Sequence, residues 1–78
     1  MKDLTQKDKL IKKIKNAKTA DFEDIHLLLT QLGFNFRCRG SHYTYVKDSH
    51  IIGIVKHGQQ VKTIYLKNVQ DLLENLVL

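Results

Sequence analysis

Proline and tryptophan are missing from this chain, and cysteine occurs once, at Cys38. One thiol can form neither an internal disulfide nor a cysteine-ligated zinc cluster, which points to a reducing cytosol. There is also no internal repeat and no low-complexity stretch, so nothing marks a linker between domains. No apolar run approaches the ~18 residues of a membrane span. The charged N-terminus lacks the apolar core of a signal peptide. The four histidines and the carboxylates do not fall at metal-ligand spacings. Together these absences predict a soluble cytoplasmic protein with no membrane contact, no metal and no small-molecule cofactor.

What is present fits one small domain over residues 1–78. A chain of this length buries only about 60% of its unfolded surface, enough for one core and one shallow surface site. Its net charge of +5 is unevenly spread. Residues 1–18 form a basic extension with seven lysines against Asp3 and Asp8. Residues 37–67 carry Arg37, Arg39, Lys47, Lys56, Lys62 and Lys67 against Asp48 alone. Asp21, Glu23 and Asp24, with Asp71 and Glu74, place the negative charge elsewhere. Separation of this kind is an electrostatic footprint for phosphates. For the N-terminal lysines, solubility or an acidic partner explains the charge equally well.

Hydrophobic spacing predicts three helices and three strands. Thr5 can cap a first helix over about 6–16, with Asp8 at its third position and Leu10, Ile11 and Ile14 as a narrow apolar stripe. A second helix starts near Asp21. Phe22, Ile25, Leu28, Leu29 and Leu32 recur along it at helical spacing, and Gly33 stands where a left-handed cap belongs. Alternation then takes over, and Phe34, Phe36 and Cys38 are expected to face the core. Gly40-Ser41 makes a turn. In the next strand Tyr43 and Tyr45 share one face, read as the buried one, while His42 and Thr44 share the other. Lys47–His50 is a second tight connection. Ile51–Val55 reads as the central or inner strand. A last helix begins at Asn68 or slightly earlier, with Val69, Leu72, Leu73 and Leu76 pointing inward.

Short hairpins make the three strands antiparallel, and helices from both ends cover one face. The expected fold is therefore α+β, a three-stranded antiparallel sheet with helices on one face. The arrangement resembles the α-β-β-β-α double-stranded-RNA-binding fold with an additional N-terminal helix.

The chemistry concentrates on the first hairpin. Histidine is the side chain suited both to take and to give a proton under physiological conditions, and His42 is the one on this hairpin. Arg37 and Arg39 beside it suit a phosphate through their planar forks. RNA carries its own nucleophile, the 2′-hydroxyl. A base for its proton and cations for the developing charge suffice for acceleration. His42 is the candidate general base or acid. Arg37, Arg39 and Lys56 are candidate phosphate binders, Ser41 a group orienting the imidazole, and His57 a second proton carrier. His26 and His50 read as helix-flank and turn residues, Cys38 as a small core residue. Ser41 has no catalytic aspartate beside it, which argues against a serine hydrolase.

Several of these residues occur in an order that resembles the HicA-type (YcfA-like) toxins. They are Leu28-Leu29 followed by Leu32-Gly33-Phe34, then Arg39-Gly40-Ser41-His42 with Tyr45. The Ile52 to His57-Gly58 strand end and Leu72-Leu73 in the last helix agree as well. The likeness spans about residues 9–76. The Lys47–His50 connector lacks the proline common in relatives, and Gln59–Tyr65 is less typical. The resemblance implies a ribosome-independent mRNA endonuclease, the toxin of a type II toxin–antitoxin pair, silenced by a HicB-type antitoxin. The family's catalytic histidine falls on His42, with Gly40 and Ser41 shaping its turn. Two rival expectations remain. One is a double-stranded-RNA-binding module of the same fold that does not cut; the other is an interaction module for an acidic protein.

Overall fold

The computed structural model describes residues 6–77. The order is α1 (Gln6–Lys15), α2 (Phe22–Gln31), β1 (Asn35–Arg39), β2 (His42–Lys47), β3 (His50–Val55) and α3 (Thr63–Val77). The strands form an antiparallel sheet in the order β1-β2-β3. The fold is α+β, as the hydrophobic spacing predicts. The expected cap Thr5 and the side chain of Leu76 lie outside the described residues. No helix among the described residues is long and apolar enough to cross a membrane.

Both hairpins close through two-residue loops, Gly40-Ser41 and Asp48-Ser49, and this fixes the register. Gly40 and Asp48, each first in its loop, take positive φ values of 63° and 54°. Glycine is suited to this first position, where the hairpin twist calls for a left-handed residue. Loops this short leave β2 in the middle, so β3 is an edge strand and the expectation of a central β3 is overturned. The run Ile51–Val55 is apolar for another reason. Ile52 and Ile54 enter the core, whereas Ile51 is 71% exposed.

One cluster of buried side chains joins helices and sheet. α1 contributes Ile14, with Leu10 and Ile11 packed beside it. α2 contributes Phe22, Ile25, Leu28 and Leu29, and α3 contributes Leu66, Val69 and Leu73. From the sheet come Tyr45, Ile52 and Ile54. The helices therefore cover one face, while Thr44, Val46, Ile51 and Gly53 lie exposed on the other.

α2 ends as its Leu-Gly-Phe sequence predicts. Gly33 adopts φ 99°, its N–H donates to the Thr30 carbonyl at 3.1 Å, and the Phe34 N–H donates to Leu29 at 3.0 Å. This bond pair is the Schellman cap, and the burial of Phe34 and Leu29 supplies its hydrophobic contact. Lys47 adds its ammonium to the Leu32 carbonyl at 2.6 Å, where the negative end of a helix favours a cation.

Two further expectations are corrected. Phe36 and Cys38 point to the helix side of the sheet, but Phe36 is 45% exposed and Cys38 is exposed. They sit on an edge strand that the helices cover incompletely, so alternation gives their direction without their burial. α3 begins at Thr63, not near Asn68. Its first turn hangs on the Lys62 carbonyl, which accepts from Tyr65 and Leu66 at 3.0 and 3.1 Å. Lys62 is no favoured capping residue, and this is why the start carries no sequence signal.

Candidate nucleic-acid interface

The cross-strand register brings the predicted cations and the imidazole to one face. Arg39 pairs directly with His42, and Arg37 with Thr44. Directly opposed residues lie with Cβ atoms about 4.5–5.5 Å apart. His42, Arg37 and Arg39 are all exposed. A shallow concavity follows β1 and takes in Arg37, Arg39, His42, Thr44 and Val46. Tyr45 is fully buried on the opposite face and Tyr43 half-buried, as expected.

The turn that carries His42 is anchored. The Ser41 carbonyl accepts the Lys56 N–H at 2.8 Å, which extends the β2–β3 ladder one step past Val55. Ser41 thus holds the turn through its backbone, with its side chain half-buried.

Lys56 and His57 do not join the arginines. Val55 is the residue paired with His42, so Lys56 projects to the other side. Its ammonium lies 5.1 Å from the centre of the Phe22 ring at the start of α2. A cation over an aromatic face is attracted by the ring quadrupole. His57 is exposed in the segment after β3. The open face is therefore built on Arg37, Arg39 and His42, with Thr44 across from Arg37. Its far end is apolar, where Val46, 39% exposed, pairs with Ile51.

His26, read from the sequence as a helix-flank residue, has a more specific place. Its Nδ1 shares a hydrogen bond of 2.8 Å with the Tyr45 hydroxyl. Its ring meets Phe36 edge-on at 4.6 Å, and Phe22 and Tyr43 complete the cluster. Burial, and then the neighbouring Tyr43, push the Tyr45 phenol well above its ordinary range. The Cys38 sulfur, by hydrogen bonding, raises Tyr43 as well. These groups pack as an aromatic underside to the strand that presents His42. The single signal in the sequence was the recurrence of Phe22 and His26 one helical turn apart.

Gln70 of α3 was also missed. Its amide donates to the carbonyls of Ile14 and Ala17, both at 2.9 Å, and tethers the end of α1. No three His, Cys, Asp or Glu side chains converge on a metal-binding position among the described residues.

No family model, no curated protein and no solved structure matches the chain.

Proposed function

We propose that this protein is a cytoplasmic endoribonuclease of the HicA toxin type, cutting mRNA at the open sheet face with His42 as the proton carrier. The observation that carries the reading is the exposed His42 directly across the hairpin from Arg39, with Arg37 on the same face. In the proposed step His42 accepts the proton of a ribose 2′-hydroxyl. The 2′-oxygen bonds to the adjacent phosphorus as the bond to the 5′-oxygen breaks. The leaving oxygen takes a proton from solvent, since His57 stands apart from the arginines. Arg37 and Arg39 hold the phosphate and oppose its growing negative charge, the kind of preorganised electrostatic stabilisation on which phosphoryl chemistry depends. Both nucleophile and proton carrier are then in place without a cofactor. A HicB-type antitoxin is the partner this reading calls for.

Inducing the wild type and His42→Ala in a bacterium tests the reading. The wild type is expected to arrest growth and degrade mRNA, and the variant to do neither while accumulating equally. Equal mRNA loss with both proteins would remove His42 from the chemistry.

A second reading is favoured by one observation: among the described residues, His42 is the only histidine whose strand position and exposure put it on the open face. A face with one proton carrier and two arginines also suits double-stranded RNA held without cleavage, by contacts to phosphates and 2′-hydroxyls. In that case His42→Ala leaves any cellular effect unchanged.

A further inference from the structure

We infer that the outer edge of β1 is a docking site for an extended acidic segment of a partner protein, which adds to the sheet as a further strand. β1 pairs with β2 alone, and no described strand lies on its other side. All five of its residues are exposed. The two-residue loop makes Arg39 and His42 a hydrogen-bonded pair, and alternation makes Arg37 and Thr44 the next. Phe36 and Cys38 therefore turn their N–H and C=O groups outward, away from β2. Folded proteins usually blunt such an edge with proline, a bulge, a covering element or charged side chains; β1 carries the last in Arg37 and Arg39, which repel a basic strand and admit an acidic one. β1 contains no proline, and its register runs from Asn35 to Arg39 without a bulge.

The side chains specify the occupant. Arg37 and Arg39 project to the open face, and half-exposed Phe36 to the helix face. An added strand alternates its own side chains at the same period. Acidic residues would then lie beside the arginines and apolar residues beside Phe36. In strand addition the main-chain bonds supply affinity and the alternate side chains supply selectivity. A second copy of this chain is disfavoured, because its own β1 would set arginine against arginine in a molecule of net charge +5. The β3 edge suits an acidic strand less well, since Asp71 of α3 flanks the groove beside Ile51 and Gly53. Masking the arginines next to His42 would silence the proposed nuclease. That consequence rests on the nuclease reading, whereas the binding does not.

The test uses a short peptide alternating glutamate and valine, and a control of equal composition with the two residues in blocks. Binding to the full chain is followed by titration, and amide hydrogen exchange is read residue by residue. The alternating peptide is expected to bind more tightly than the control by about tenfold and to slow exchange at Phe36 and Cys38. Cys38→Pro removes an outward N–H, which an edge strand tolerates. It is expected to keep the fold, judged by its thermal midpoint, and to lose the alternating-peptide preference. Arg37→Glu with Arg39→Glu is expected to transfer that preference to an alternating lysine–valine peptide. Equal binding of both glutamate peptides with no protection at Phe36 and Cys38 would reduce the effect to simple charge attraction and overturn the inference. So would the absence of binding. None of these readouts depends on RNA cleavage, so the inference and the nuclease reading fail separately.

Discussion

Tyr45 and Thr44 are neighbours on β2 that face opposite ways, and truncating each in turn tests which face carries His42. Tyr45 is fully buried among Ile52, Ile54 and the helix residues of the core. Removing a buried aromatic ring costs about 3–5 kcal/mol through lost burial and the cavity left behind. Tyr45→Phe keeps the ring and loses only the hydrogen bond to His26, worth about 1 kcal/mol net. Thr44 is exposed, so Thr44→Ala should cost less than about 1 kcal/mol, mainly from weaker strand preference. A chain of this size is stable by roughly 4–12 kcal/mol, so Tyr45→Ala should remove a large fraction of the total. Urea titration measures all three, with a lower midpoint and an unchanged slope marking lost stability. The thermal midpoint of Tyr45→Phe should fall by about 4–8 °C. If Thr44→Ala costs as much as Tyr45→Ala, the register is displaced by one residue and His42 belongs inside. The proposed site would not then exist.

Three other substitutions and one change of pH probe the scaffold. Gly33→Ala forces a side chain into φ 99° at the cap of α2 and should cost about 1–2 kcal/mol by urea titration. Gly53→Ala, on the open face with no atom within 4 Å of an added Cβ, should be neutral or stabilise by about 0.5 kcal/mol. Gln70→Ala removes the tether on the Ile14 carbonyl of α1 and on Ala17 just beyond it; a cost of about 1–2 kcal/mol is expected, with faster amide exchange in α1. Above about pH 10 the unfolded chain releases its tyrosine protons while folded Tyr45, its phenol pushed up by burial, retains one. Folding stability should therefore decline as pH rises past that point, and Tyr45→Phe should flatten the decline.

Elements written in local chemistry were legible. The Leu32-Gly33-Phe34 ending of α2 announces its own cap, and the two-residue turn at Gly40-Ser41 sets the alternation that puts Tyr45 inside and His42 outside. What depended on neighbours was not. The exposure of Phe36 follows from β1 lying at an edge, which alternation cannot reveal. The edge position of β3 follows from loop lengths, while its apolar run suggested a centre. α3 starts on a bare Lys62 carbonyl, so Asn68 looked like the more natural beginning. For the candidate site, Arg37, Arg39 and His42 share a face because they obey one period across one hairpin. Lys56 falls on the other side because it follows Val55 by one residue. Gln70 and Lys47 act on carbonyls of remote helices, a role that no local pattern encodes.

The most direct measurement is cleavage of a defined RNA by the purified protein, set beside the same RNA with a single 2′-deoxy sugar at the scissile position. With His42 activating the 2′-hydroxyl, the all-ribose strand is cut, the deoxy strand binds and stays whole, and His42→Ala binds without cutting either. Cleavage of the deoxy strand at the same rate, or undiminished cleavage by His42→Ala, would contradict the account.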